Sequence, residues 1–292
     1  TGENIYAENE RGTPEVEAAV RGAQRVILPV ALAVSTTIAA FVPLLFAPGT
    51  LGKFLLAGPD VVEFLERIYP MRVADLEPGK LRYGLMLEEG GVIIDDGTVC
   101  ALEGGAFYCT VTTSGAERLE SWMLDWREAW GLDVFVVNQT ASLAAVNVAG
   151  PHARDLLEKL TDDPIDKDSF PYLRHRRITV NGVSCLAIRL GFVGELAYEL
   201  HFPAAHAVEM WDAILEAGRE WDIRPFGLDA QRLLRLEKGH VIVGMDTELD
   251  TTPRRLGMDW AVRMEKPAFL GRAALARTAR LPDERRWFRS EE

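Results

Sequence analysis

The run FLLAGPDVVEFLERI, residues 54–68, is answered by AVNVAGPHARDLLEKL, residues 145–160, in which Gly150-Pro151 falls 92 residues after Gly58-Pro59. Each copy reads as a short apolar strand, a Gly-Pro turn and a helix begun just after the proline, where a missing N–H costs no intrahelical bond. The echo continues outward. Residues 107–112 form a strand leading into a helix over 116–130, and residues 198–202 form a strand leading into a helix over 204–221, about 91 residues on. Hairpin material fills the middle of each copy, at 84–102 and 177–189. Each half is therefore β-α-β-β-β-α, and the expected architecture is α+β: two split-βαβ (ferredoxin-like) units in tandem, meeting across a pseudo-twofold with a cleft between them. In the second long helix Ala207, Met210, Trp211, Ile214 and Leu215 share one stripe while Glu209, Asp212 and Glu216 face away. A further amphipathic helix is expected over 228–238, ended by Gly239.

Composition narrows the function. At 292 residues the chain has room for about two structural units. With 48% hydrophobic and 26% charged residues, collagen-like and disordered classes are excluded. Lys and Arg number 32 against 44 Asp and Glu, a net charge of −12, which argues against a nucleic-acid partner. Cys100, Cys109 and Cys185 are too few and too scattered for a disulfide framework or a metal site, and read as core thiols in a reducing compartment.

The chain begins at Thr1 rather than methionine, as a fragment does. Residues 1–24 are polar and then helix-favouring, from Pro14, Glu15 and Glu17 onward. Residues 26–52, VILPVALAVSTTIAAFVPLLFAPGTLG, contain no charge over 27 positions, more than the ~20 that cross a bilayer. Preceded by Arg21 and Arg25, residues 26–46 read as a membrane span, with a buried helix as the alternative. The breakers at 47–50 mark a boundary. Three segments follow: 1–50 with the apolar helix, 51–280 as the α/β body, and 281–292 as a tail.

Two runs carry the chemistry. In GGVIIDD, residues 90–96, a Gly-Gly turn opens a strand with two adjacent carboxylates. Strand side chains alternate, so only one of Asp95 and Asp96 faces the cleft; the alternative is that both begin a solvated turn before Gly97. In RLGFVGELAYE, residues 189–199, Gly191 and Gly194 suit a tight loop and Glu199 lies in a strand between Tyr198 and Leu200. The run fits neither a phosphate-binding loop nor a dinucleotide fingerprint.

Five strings, in order, resemble one family: TLGKFLLAGPDVVEFLERIY (50–69), RYGLMLEEGGVIIDDG (82–97), GFVGELAYELH (191–201), FGLDAQRLLRLEKGHVIVGMDT (226–247) and LGMDWAVRMEKPAFLGRAAL (256–275). Together they resemble the folate-binding aminomethyltransferases, namely the glycine-cleavage T-protein and, more closely, the matching domain of the sarcosine oxidase alpha subunit and dimethylglycine oxidase. The resemblance implies duplicated split-βαβ units around a central tetrahydrofolate site. It makes Asp96 the catalytic residue, orienting and assisting the folate amine that accepts a one-carbon unit. It places Tyr83 and Phe192 as aromatic contacts, Glu199 as the carboxylate bonded to the pterin ring, and Trp260 beside the same pocket.

Thr112 joins the folate-binding set where the T-protein has asparagine. Phe192 stands for the T-protein's tyrosine, and Gln231 stands for an arginine of its helix, with Arg232 and Arg235 nearby; these departures favour the sarcosine oxidase branch. The implied activity is tetrahydrofolate-dependent aminomethyl or methylene transfer during amine demethylation, in the cytoplasm, with flavin carried only by a partner oxidase subunit. Two other outcomes stay open: a non-catalytic folate-fold module, and a fusion product. Residues 1–50 resemble a membrane helix of resistance-nodulation-division transporters, which would anchor the chain to the inner membrane, and 281–292 would be the truncated start of the family's C-terminal barrel.

Overall fold

The computed structural model describes residues 51–279, within the second of two units of the chain, Pro48–Glu292. The segment 1–50, with the membrane span expected at 26–46, and the tail 281–292 lie outside the described residues. No helix among the described residues is long and apolar enough to cross a membrane.

The first half runs β1 (Leu51–Ala57), α1 (Val61–Ile68), β2 (Leu81–Leu87), β3 (Ile93–Ala101), β4 (Phe107–Thr112), α2 (Ala116–Trp130) and β5 (Phe135–Asn138). The second runs β6 (Leu143–Ala149), α3 (Ala153–Glu158), β7 (His175–Val180), β8 (Val183–Ile188), β9 (Ala197–Pro203) and α4 (Ala207–Ala217). After them come α5 (Leu228–Lys238) and α6 (Arg272–Thr278). The strands form two sheets, ordered β2-β3-β4-β1-β5 and β6-β9-β8-β7, with every pairing antiparallel.

The repeat is visible in the backbone. Gly58 and Gly150, which end β1 and β6, have φ of 133° and 131°, a conformation only glycine holds without strain. The residues that then cap α1 and α3, Asp60 and His152, have φ/ψ of −102°/12° and −96°/10°. A side chain on Gly58 would also run into the Asp133 carbonyl at 2.4 Å.

Helices cover the outer face of each sheet. In α1 the buried residues are Val61, Phe64, Leu65 and Ile68, the spacing of one helical stripe, and they pack on Phe54, Leu56, Val99, Cys109 and Val111. In the second half Leu156, Leu157, Met210 and Ile214 pack on Val180, Cys185, Tyr198, Leu200 and Phe202. The inner faces look toward each other, joined by Leu81, Cys100 and Tyr108 against Leu186 and Ile188.

Three details depart from the sequence reading. The stripe in α4 is narrower than its pattern, because Met210 and Ile214 are buried while Trp211 is 42% exposed. The helix expected over 204–221 is broken into α4 between 3-10 turns at Ala204–His206 and Arg219–Trp221, with Gly218 packed against Leu156 and Ile223. The only buried residue of α5 is Arg235, not a leucine. Its guanidinium pairs with Asp246 and donates to the Arg232 and His240 carbonyls, so an ion pair rather than an apolar stripe seats this helix.

A second buried cation ties the C-terminal segment to the first half. The Lys266 ammonium donates to the carbonyls of Glu66, Tyr69 and Met71 at 2.6–2.7 Å and pairs with the Glu66 carboxylate at 2.6 Å. Burial lowers the Lys266 pKa and the Glu66 pair opposes that fall. The carbonyls close the C-terminal turn of α1, where a cation also meets the negative end of the helix dipole. Replacing Lys266 with methionine strands the Glu66 charge and three carbonyls. It should lower unfolding free energy by ~3 kcal/mol, seen as a lower urea midpoint with an unchanged slope.

Candidate active site

Between the sheets the walls are unusually polar. Period-two alternation turns Lys53, Leu55, Tyr83, Leu85, Asp96, Thr98, Tyr108 and Thr110 inward, and the register aligns Lys53 with Thr110 and Thr98 with Tyr83. The Thr98 and Thr110 hydroxyls bond each other at 2.8 Å. Lys53, Thr110, Thr98 and Tyr83 thus make one cross-strand row over four adjacent strands, β1, β4, β3 and β2. At ~4.8 Å per strand the row is ~14 Å long.

The adjacent aspartates divide between the two faces of β3. Asp95 turns toward the helix side and is satisfied there: it accepts from the backbone N–H of Asp96 and Thr112 at 2.8 and 3.1 Å and from the Thr112 hydroxyl at 2.6 Å. The start of α2 passes so close that a Cβ on Gly115 would sit 2.6 Å from an Asp95 oxygen. Burial still raises the Asp95 carboxyl above its ordinary range, against the Thr112 bonds.

Asp96 turns inward and has one donor among the described residues, the Tyr83 hydroxyl at 2.8 Å. Burial pushes its carboxyl up to about 7; the Tyr83 bond opposes the rise and the Asp95 charge adds to it. The Tyr83 phenol is raised by burial and by Asp96, so it stays a donor. Neither aspartate begins a solvated turn. The strand runs on through Gly97, where a Cβ would lie 1.8 Å from the Thr110 carbonyl, so only glycine lets β3 and β4 close beside the pair.

The facing wall comes from β6 and β9. Register pairs Glu199 with Asn147, and alternation turns Glu199 and His201 inward while Tyr198, Leu200 and Phe202 enter the second core. The His201 Nδ1 is 2.8 Å from the Tyr108 hydroxyl, a bond between the sheets. Its Nε2 lies 3.4 Å from the Glu199 carboxylate. Burial lowers the Lys53 pKa and the Glu199 charge pulls it back. The Trp260 ring lies 5.8 Å from the Tyr83 ring at 33°. With Met71, Arg72, Asp75, Arg82, Ala261 and Arg263 these rings line a cavity of about 240 Å³.

Residues 44–266 match the family described as the GCVT N-terminal domain. The chain belongs to that family. The sarcosine oxidase subunit alpha of Corynebacterium sp. strain P-1 is 37% identical over 241 residues, covering 81% of this chain and 25% of that protein. The aminomethyltransferase of Halothermothrix orenii is 34% identical over 231 residues, 79% of this chain and 63% of that protein. The crystal structure of the glycine cleavage system aminomethyltransferase T from Bartonella henselae superposes with a TM-score of 0.70 at 25% identity, covering 79% of this chain and 61% of that one. The chain thus spans a quarter of the first relative and under two thirds of the other two.

Within this GCVT-type scaffold, Tyr83, Asp96 and Trp260 form one contiguous group, and Glu199 stands on the facing sheet. Thr112 is engaged by Asp95, on the other side of β3. Phe192 lies in the loop between β8 and β9, its ring stacked on His240 at 5.5 Å and its carbonyl bonded to the His240 Nδ1 at 2.7 Å. Sequence reasoning passed over Lys53, Asn147 and His201. The signal for Lys53 was present: it is the lone charge in the apolar strand LGKFLLA.

An acid raised from 3.8 to about 7 in the fold holds its proton more tightly than in the unfolded chain. Stability therefore falls as pH rises from ~4 to ~7, through the window in which only the native state is protonated. Asp96→Asn carries no such dependence. The variant should be more stable than the parent by ~1–3 kcal/mol at pH 8, with the gain gone at pH 4. Urea midpoints at the two pH values measure this, and an equal shift at both would contradict the assignment.

Proposed function

We propose that residues 51–280 form a tetrahydrofolate-binding domain acting in one-carbon transfer of the sarcosine oxidase kind, with Asp96 as catalytic residue. The observation that carries this is the near-neutral Asp96 carboxyl, held by Tyr83 and facing the same inter-sheet space as a second acid, Glu199. A pterin ring presents neighbouring N–H donors that one carboxylate accepts side by side, and its flat faces suit aromatic rings. The residues present fit such a ring. Glu199 supplies the carboxylate, Tyr83 and Trp260 the aromatic cover, and Asn147 a buried oxygen that has no partner among the described residues. Phe192 lines the approach, and Thr112 acts through Asp95 by fixing the strand that aims Asp96.

Bound tetrahydrofolate supplies the amine that takes up a one-carbon unit. Asp96 receives the proton given up by that amine and, as a carboxylate, offsets positive charge developing beside it. A carboxyl near neutrality suits both receiving and returning a proton at working pH. The Tyr83 hydroxyl holds the carboxylate in one orientation and excludes other donors from one of its oxygens. In this reading the one-carbon unit is made at a flavin on a separate oxidase subunit, and the folate domain works in the cytoplasm. Residues 1–50 are a separate segment whose apolar stretch at 26–46 would tether the domain to a membrane, and 281–292 are a tail.

The test uses the full chain with sarcosine and a flavin-bearing oxidase subunit. Asp96→Ala should bind tetrahydrofolate within a few-fold of the parent and lose at least ~10³-fold in the rate of methylene transfer. Equal rates for variant and parent would remove Asp96 from the mechanism. No calorimetric heat with tetrahydrofolate would leave a non-catalytic module.

A further inference from the structure

The cavity of about 240 Å³ beside Tyr83 has a charge opposite to that of the protein around it. The chain carries a net charge of −12, yet the cavity wall holds three guanidiniums, Arg72, Arg82 and Arg263, against one carboxylate, Asp75. Two of the three are engaged. Arg82 donates to Asp75 at 2.7 Å and to the Arg72 carbonyl, and its bond holds the Asp75 carboxyl below its ordinary value. Arg72 reaches Glu265 at 3.5 Å. The Arg263 guanidinium has no hydrogen bond or ion pair among the described residues, although its backbone N–H is tied to the Pro70 carbonyl at 2.9 Å.

The wall is held from behind. Lys266, bonded to the carbonyls of Glu66, Tyr69 and Met71, anchors the segment that carries Trp260 and Arg263 to the end of α1. The space they enclose lies below the ~300–1,000 Å³ of pockets that bury drug-sized ligands, so it suits a small molecule. A guanidinium left unpaired is a two-pronged donor shaped for a carboxylate. The faces of Trp260 and Tyr83 attract a cation, and the Tyr83 hydroxyl leads on to Asp96 at 2.8 Å. A compact zwitterion, anionic at one end and cationic at the other, matches both sets of groups.

We infer that this cavity is a carboxylate subsite in which Arg263 pairs with the α-carboxylate of a small N-methyl amino acid whose ammonium lies over the Trp260 and Tyr83 rings. This rests on the folate reading above and deepens it: the one-carbon donor is recognised as an amino acid, at a place separate from the folate, and amines without a carboxylate are rejected. A plain amine forfeits the charge-assisted pair with Arg263. It also brings a second positive charge among three guanidiniums that a single aspartate offsets.

The experiment is a saturation-transfer NMR titration of the full chain at pH 7 with sarcosine and with dimethylamine, the same secondary amine without the carboxylate. The parent should bind sarcosine at least ~10-fold more tightly. Arg263→Gln should bring the two ligands within ~3-fold of each other, and Arg263→Lys, which keeps the charge but not the fork, should fall between. Arg263 is exposed, so both variants should keep the parent's urea midpoint. Sarcosine should still bind when tetrahydrofolate is saturating, because donor and acceptor have to be held together. Its displacement by tetrahydrofolate would give the arginines to the folate's own carboxylates and overturn the subsite, leaving the folate reading in place. No binding of sarcosine, equal affinity for both ligands in the parent, or a ratio unchanged in Arg263→Gln would overturn it as well. Binding of sarcosine with no binding of tetrahydrofolate would uphold the subsite and overturn the folate reading instead.

Discussion

A strand sends consecutive side chains to opposite faces, so two adjacent carboxylates on a central strand cannot share one environment. In β3 this constraint separates Asp95 from Asp96 by environment as well as by direction. Asp95 meets three donors on the helix side and becomes part of the frame. Asp96 meets one, and the same desolvation that frames its neighbour leaves it near neutrality. Everything nearby enforces the split. Gly97 allows β4 to close in, Gly115 allows α2 to start against Asp95, and Thr112 ties the end of β4 to the inward-aimed strand.

The duplication supplies two similar walls, and divergence makes them unequal. On the first sheet the inner face of β3 carries Asp96, Thr98 and Cys100; on the second, β8 presents Leu186 and Ile188, which close against Leu81, Cys100 and Tyr108. The second half instead places its polar groups on β6 and β9, as Asn147, Glu199 and His201. A symmetric pair of polar walls would bury more charge than the interface could satisfy, and two apolar walls would collapse into a single core. One apolar seam beside a stretch of polar side chains holds the sheets together without merging them into a single core.

The Gly-Pro echo, the hairpins and the paired-aspartate strand were legible in the sequence because each rests on local chemistry: a glycine-only turn, a proline-started helix, period-two alternation. The partition of Asp95 from Asp96 followed from alternation alone, though which of them faced inward did not. Trp211 could not be placed by pattern, since a helical stripe fixes direction but not how far the neighbouring sheet extends under it. For α5 the pattern showed an amphipathic helix but not that its burial belongs to Arg235, whose partner Asp246 lies beyond the helix in a loop. Long-range pairs of this kind leave no periodic trace. The same holds for His201, whose bond to Tyr108 spans 93 residues of sequence.

Stability and site chemistry pull against each other here. Asp96 with a single donor, Lys53 with a single acceptor and the unpartnered oxygen of Asn147 each lower the stability of the fold by themselves. Filling the same positions with leucine, as β8 does, would give a firmer interface. Polar groups kept under such a penalty are pre-oriented: the surrounding strands fix their directions, so little is reorganised when a complementary ring meets them. Any ligand that met such a group would recover desolvation already incurred in folding, and its binding would stabilise the native state by linkage.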